Sequence, residues 1–182
     1  MSETMIRKNH MDVLWHEYTD KEGQNLPVVQ ASLTEKASII GRAGIMLLSC
    51  GTGAWRVRSS MNTLAEVMGV TCTADIGLMS IEYTCFDGQD GFTQSLCLTN
   101  TGVNTSKLNR LEHFIQDFET EGKDMSGEQL HNLLDNIEFM DFIHRLPLVS
   151  LPLLPAEDLP FCLAADRLKC FVLLSELVSE TF

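Results

Sequence analysis

The spacing of apolar residues changes twice along this chain, and each change marks a change of secondary structure. From Ser32 to Cys50 the apolar residues recur at intervals of three and four, as on the buried face of a helix. Ser32 and Glu35 have the spacing of a capping box, which predicts the start of that helix. A second helical stretch begins near Gly53 and stops at Gly69, a residue that tolerates the backbone of a helix end.

Beyond residue 70 the apolar residues alternate with polar ones, which is typical of half-buried strands. We expect strands over 70–78, 80–86 and 92–98, with a glycine-containing turn before the third. Helical spacing returns over 105–118 and again from 126 to Pro147, which ends the last helix. The pattern predicts an α+β domain made of two helices, a three-stranded antiparallel meander and two more helices.

The two ends of the chain differ from this middle part. Residues 1–30 are polar apart from a short apolar patch, which predicts a flexible N-terminal arm. Residues 147–182 are strongly apolar, but charged residues interrupt them, and each would cost about 2.5 to 3.5 kcal/mol at a bilayer centre. We therefore expect an amphipathic helix over 163–177 instead of a membrane span, and an ordered domain over 31–146.

Charge and cysteine content exclude several classes of function. The chain has 25 acidic and 13 basic residues and a net charge of −12, whereas nucleic-acid binding needs clustered Lys and Arg. The six cysteines form no Cys-x-x-Cys pair, and no signal peptide is evident, so we expect buried, reduced thiols. The histidines lack the spacing of zinc ligands. No metal, no cofactor and no nucleic-acid partner is predicted.

Two loops offer candidate ligand-binding residues. The turn after the first helix contains Gly51 and Arg56, where a small anion or zwitterion could approach backbone N–H groups beside the guanidinium. The alternative is a tight turn in which Arg56 pairs with an acid. The loop before the third helix contains a polar group that could cap the helix or bind a ligand through the same N–H groups: Asn100, Thr101, Asn104 and Thr105.

The sequence predicts no catalytic residue. Asp75 and Glu82 lie on neighbouring predicted strands, but Asp75 stands between apolar residues and would face solvent. Cys50 and Thr52 could act as nucleophiles only with a base in reach, and no Gly-x-Ser-x-Gly motif is present. A hydrolase remains the alternative to a binding domain.

Several stretches of the chain match one family pattern. They are Arg42-Ala43-Gly44-Ile45, Met68-Gly69, Ala74-Asp75-Ile76-Gly77 and Thr99-Asn100-Thr101-Gly102-Val103-Asn104, with Gly51, Arg56 and Val57 of the first turn. Together they resemble the cytoplasmic N-terminal domain of the threonine/serine exporter family of bacterial membrane proteins. The resemblance covers roughly residues 35–145.

The resemblance implies a domain that supports export of small hydroxy amino acids or related carboxylates by solute sensing, gating or assembly. It implies a membrane part or membrane subunit as partner, a homo-oligomer, and a place on the cytoplasmic face of the bacterial cell membrane. Segment 147–182 stands where the family has its first membrane-spanning helix. Because charges interrupt that segment, we expect this chain alone to be soluble and cytoplasmic, and not an enzyme. The alternative is a small-molecule hydrolase domain that uses a Cys or Thr nucleophile.

Overall fold

The computed structural model describes residues 8–19 and 26–145 of the chain. This part contains four α-helices: α1 (Leu33–Ser49), α2 (Ala54–Val67), α3 (Thr105–Asp117) and α4 (Gly127–Arg145). It also contains four strands: β1 (Lys8–Asn9), β2 (Thr71–Ile76), β3 (Ser80–Phe86) and β4 (Gly91–Cys97). Single turns of 3-10 helix lie at His10–Asp12, Trp15–Tyr18, Val28–Gln30 and Gly122–Asp124.

Helix α1 is the centre of the domain. It starts where the capping box predicts, because the Ser32 hydroxyl accepts a hydrogen bond from the backbone N–H of Glu35 at 3.3 Å. Every residue from Ala37 to Leu48 is buried, so the helix is covered on all sides and not on one apolar face alone. The sheet covers one side, and the other three helices and the N-terminal turns cover the rest.

The strands form one mixed sheet in the order β1-β4-β3-β2. Strands β2, β3 and β4 are antiparallel neighbours, and β1 runs parallel to β4 along the outer edge. Alternate residues on one face are buried against the helices, among them Cys72, Ile81 and Tyr83. The opposite face is exposed, as the Thr84–Thr93 side-chain hydrogen bond on it illustrates.

The structure confirms the α+β class and corrects the predicted arrangement. The antiparallel meander is only part of the sheet, since β1 adds a fourth, parallel strand from the N-terminal region. Two residues are too few to show a period in the sequence, and β1 exists because β4 offers it an unpaired edge. The amphipathic helix predicted over 163–177 lies outside the described residues.

The residues next to β1 pack onto the helical side of the domain. The Trp15 ring is buried and stacks on His131 of α4, with 6.4 Å between ring centroids. The Tyr18 ring meets Phe92 of β4 edge-on at 6.2 Å between ring centroids.

The division of the chain into 1–30, 31–146 and 147–182 stays a prediction.

Candidate functional site

A cleft lies where the C-terminal end of α1 meets the N-terminal end of α3. Helix α1 ends at Cys50, and Gly51 follows with a φ of 76°, a value that favours glycine. The loop before α3 is tied to this end by two backbone hydrogen bonds. Gly102 N–H donates to the Ser49 carbonyl at 3.2 Å, and Asn104 N–H donates to the Cys50 carbonyl at 3.4 Å. The two loops that the sequence identifies as candidates are therefore neighbours in space.

The cleft contains a cavity of about 440 Å³, and most of the residues that line it are of polar or charged type. Loop residues Asn100, Thr101 and Asn104 border it, together with Ser49 and Cys50 from the end of α1. Lys107 of α3 and Glu138 of α4 line the same cavity, so it holds one group of each charge. Lys107 is only 6% exposed.

The helix ends add to the charge pattern of the cavity. The carboxyl end of α1 carries partial negative charge from the aligned peptide dipoles of the helix, and the amino end of α3 carries partial positive charge for the same reason. Asn104 caps α3 by accepting a hydrogen bond from Lys107 N–H at 2.9 Å. The arrangement suits a small molecule that carries both an ammonium and a carboxylate group.

His10 and Glu138 also line this cavity and lie close to each other. His10 Nε2 lies 3.9 Å from Glu138 Oε1, while the other carboxylate oxygen of Glu138 accepts from Arg42 at 3.2 Å. Burial is the main cause that lowers the pKa of His10 below its ordinary value of 6.5. His10 is therefore neutral at pH 7, and Glu138 is the negative group of the cavity.

A second cavity, of about 400 Å³, lies on the other side of Thr101. Its lining comes from the turn between α1 and α2, which includes Gly51 and Gly53, and from the β2–β3 hairpin, which includes Gly77 and Leu78. Because Thr101 lines both cavities, three loops meet at this end of the domain.

The structure brings most of the predicted binding residues together and places one elsewhere. Asn100, Thr101 and Asn104 line the first cavity, and Gly51 lines the second. Thr105 is the exposed first residue of α3. Arg56 lines neither cavity, because its Nη1 donates to Glu112 Oε1 of α3 at 2.9 Å. This ion pair corresponds to the alternative prediction for Arg56, a tight turn in which the guanidinium pairs with an acid.

Sequence reasoning missed Lys107, Glu138 and His10. One signal could have identified Lys107, because a lysine in the first turn of a helix is unfavourable for the helix dipole. Such a local conflict often marks a functional position. Glu138 and His10 carry no comparable signal, since only the tertiary packing of α4 and the N-terminal segment brings them to the cavity.

A buried polar cluster beside the cavity was also missed. Arg42 of α1 is 3% exposed and donates to carboxylates one turn apart on α4, those of Asp135 and Glu138. His16 of the N-terminal turns contacts the second oxygen of Asp135 at 2.8 Å. Burial raises the pKa of Asp135, but hydrogen bonds from Arg42 and His16 outweigh it and lower that pKa below the usual value. The cluster joins three segments of the chain.

The remaining candidates for chemistry do not form a catalytic arrangement in the described part of the chain. Asp75 and Glu82 pair directly across β2 and β3 on the exposed face of the sheet. The buried Cys50 thiol donates to the Met46 carbonyl at 3.2 Å. Among the described residues, no group of three or more metal-ligating side chains could hold a metal ion.

Comparison with known proteins gives the class of protein. The model of the family described as putative threonine/serine exporter matches residues 38–151, which is more than half of the chain. The chain belongs to this family of membrane exporters. Neither the curated proteins nor the solved structures give a match.

Family membership decides two of the expectations. The family consists of transporters and not of enzymes, which confirms the prediction that the chain is not an enzyme. The hydrolase alternative therefore has no support from the family. The prediction that this chain alone is soluble and cytoplasmic is wrong, because the family to which it belongs is one of membrane exporters. Within residues 8–19 and 26–145, none of the helices is long and apolar enough to cross a bilayer.

Proposed function

We propose that this domain supports the export of threonine, serine or a related small carboxylate by binding the solute in the cavity between α1 and α3. The observation that carries the proposal is the placement of Lys107 and Glu138 in the lining of one cavity. A zwitterionic amino acid has charges of the same two kinds. Its carboxylate would pair with Lys107 and the N–H groups of α3, and its ammonium with Glu138 and the carbonyl end of α1.

The polar side chains of the cavity support a preference for hydroxy amino acids. The Asn100 amide can donate and accept hydrogen bonds, as recognition of a solute hydroxyl requires. The Ser49 hydroxyl donates to the Met46 carbonyl at 2.6 Å and can still accept a hydrogen bond from a solute. We further propose that the domain acts together with a membrane part or membrane subunit of the exporter, to which solute occupancy would be relayed as gating or assembly. A homo-oligomer stays a prediction.

Calorimetric titration of the full chain with threonine, serine and succinate tests the proposal. Threonine and serine are expected to bind more tightly than succinate, because Glu138 repels a second carboxylate. Lys107→Gln should weaken amino-acid binding by roughly tenfold or more, the usual cost of losing a charged hydrogen bond. Glu138→Gln should weaken amino-acid binding and reduce the discrimination against succinate.

Two control variants make the result specific to the cavity. Lys123→Gln removes an exposed lysine from the 3-10 turn at Gly122–Asp124 and should leave binding unchanged. Arg56→Ala should also leave it unchanged, because Arg56 lies outside both cavities. Absence of binding by the wild-type chain, or a loss of binding confined to Arg56→Ala, would overturn the proposed site.

A further inference from the structure

Three loops meet at the end of the domain where the two cavities lie. They are the turn between α1 and α2 (residues 50–55), the β2–β3 hairpin (76–80) and the loop before α3 (99–104). Hydrogen bonds hold the hairpin and its neighbours together: Gly77 N–H donates to the Ser80 carbonyl at 2.8 Å, and Leu98 N–H to the Met79 carbonyl at 2.8 Å. We refer to this end, made of the three loops, as the loop end.

Large apolar side chains protrude from each loop of the loop end. Trp55 is 71% exposed, Leu78 is 90% exposed and Val103 is 86% exposed. Leu78 and Val103 stand in loops and Trp55 in the first turn of α2, and none of the three belongs to the core. Three large apolar side chains are therefore mostly exposed on adjacent segments. This is unusual for a surface that faces only water.

The same loops contain no charged residue. Lys, Arg, Asp and Glu make up 21% of the chain, yet none occurs in residues 50–55, 76–80 or 99–104. The remainder of the molecule is strongly acidic, since the net charge of −12 lies entirely outside these segments. An uncharged surface can leave water without the desolvation cost that a buried charge would carry.

Helix α4 runs toward the loop end. Near its start His131 contacts Ser38 of α1, and further along Asp135 contacts Arg42. Glu138 then lines the same cavity as Ser49, at the end of α1. Helices α1 and α4 therefore point the same way, and the last turns of α4 approach the end of the domain that carries the exposed apolar residues.

We propose that the loop end docks on the surface of a lipid bilayer, with the side chains of Trp55, Leu78 and Val103 in the interfacial region. Tryptophan is enriched at membrane–water interfaces, where its ring is half in the apolar layer. The Arg56 guanidinium, which pairs with Glu112, lies 5.7 Å from the Trp55 ring centroid and helps to hold that ring at the surface. The acidic remainder is repelled by anionic lipid, which orients the domain with the loop end toward the membrane.

The chemistry of the surface favours lipid over a protein partner. The three apolar side chains stand on three separate segments, the first turn of α2 and two loops, and each can enter a fluid layer independently. Since no charge lies in the loops, docking does not need anionic lipid, and zwitterionic phosphatidylcholine vesicles are sufficient. The exposed apolar side chains and the absence of charged residues at the loop end do not depend on solute binding in the cavity.

Quenching of tryptophan fluorescence by vesicles of brominated phosphatidylcholine tests the proposal on the full chain. The chain has two tryptophans; Trp15 is buried, so Trp55 reports on the loop end. We expect quenching in the wild-type chain that is lost in Trp55→Phe. Leu78→Glu and Val103→Glu should each weaken vesicle partitioning by about tenfold or more, because a carboxylate must stay in water.

Phe86→Glu is the matched control. Phe86 is an exposed apolar residue at the β3–β4 hairpin, the opposite end of the sheet, so its replacement should leave quenching unchanged. The proposal is overturned if Trp55 is unquenched in the wild-type chain, or if Leu78→Glu is quenched as strongly as Phe86→Glu. It is also overturned if sedimentation without lipid shows an oligomer that Leu78→Glu dissociates, since the loop end would then bind a second copy.

Discussion

His131 shows how single side chains settle a buried polar site. The Ser38 hydroxyl donates to the Glu35 carbonyl at 2.7 Å, so it accepts at 3.1 Å from His131 Nε2, which must carry the proton. His131 Nδ1 is then free to accept from the Arg42 guanidinium at 3.4 Å. Burial, with a smaller contribution from the Arg42 charge, lowers the pKa of His131 to about 3. The imidazole is neutral, as the hydrogen bond that its Nδ1 accepts from Arg42 requires.

This histidine predicts that the domain loses stability in mild acid. Below pH 6.5, the ordinary histidine pKa, the unfolded chain binds a proton at residue 131 and the folded chain does not until about pH 3. The free energy of unfolding therefore decreases as the pH is lowered, by up to about 1.4 kcal/mol for each pH unit in that window. The lowered pKa of His10 acts in the same direction. Urea unfolding midpoints measured between pH 7 and about pH 5 will show the slope.

Two histidine variants separate this cause from a general effect of acid. His131→Gln should be less stable near neutral pH and show a shallower decline in its urea midpoint. His113→Gln, at an exposed position on α3, should decline as steeply as the wild-type chain. Equal slopes for all three proteins would contradict the assignment to His131.

At the scale of elements, α1 approaches the sheet closely because of a glycine. A Cβ at Gly41 would lie 2.1 Å from the hydroxyl oxygen of Tyr83 on β3. That hydroxyl is fixed in the core, 2.7 Å from Gln94 Oε1 and 3.0 Å from the Ala37 carbonyl. The side chain cannot move aside without losing these contacts, so the position admits no larger residue.

We expect Gly41→Ala to destabilise the domain by about 1 to 3 kcal/mol, although alanine is the better helix former. Gly44→Ala is the comparison, since the nearest atom to its Cβ is the Met61 sulfur at 2.6 Å, in a flexible side chain that can rearrange. Thermal unfolding followed by circular dichroism measures both. A loss at residue 44 as large as that at residue 41 would contradict the argument from Tyr83.

Sequence patterns predicted the elements that carry their own local signals. The cap at Ser32, the glycine at residue 69 with its φ of 71°, and the alternation along β2 to β4 are local, and each was found where expected. Strand β1 and the 3-10 turns after it have no period to detect, because two to four residues do not complete one. Their positions depend on β4 and α4, which lie far away in the sequence.

At the scale of the whole molecule, the N-terminal turns complete the burial of the polar cluster. The Trp15 ring lies with its centroid 5.8 Å from the Arg42 guanidinium carbon and stacks on His131. The attraction between the Arg42 guanidinium and the carboxylates of α4 is stronger where water is excluded from the guanidinium. Residues 8–19 supply that cover.

The neighbouring residues Leu14 and Trp15 test this cover directly. Trp15→Ala should lower the free energy of unfolding by about 3 to 5 kcal/mol, because it opens a cavity over a buried charge. Leu14→Ala, at an exposed position one residue earlier, should change it by less than about 0.5 kcal/mol. Urea unfolding measures both. Similar values for the two variants would show that residues 8–19 contribute little to the domain.

Only the part of the candidate site that has a local sequence signal could be predicted. The loop of Asn100, Thr101 and Asn104 could be identified from its cap residues, which are local. The charges around it could not, because Glu138 and His10 reach the cavity only through packing. Arg56 was predicted either to bind a ligand or to pair with an acid, and in the structure it pairs with Glu112 of α3.

The N-terminal segment also fixes an order of events during synthesis. His16 must wait for Asp135, 119 residues further along, and Lys8 must wait for Cys97, 89 residues further along. Chains leave the ribosome from their N-terminal end, and contacts of such long range close late. Val13 and Trp15, among the earlier residues to be made, therefore remain exposed until most of the described domain exists. The first segment of the described domain to be made is therefore held in place by strands and helices that are made later.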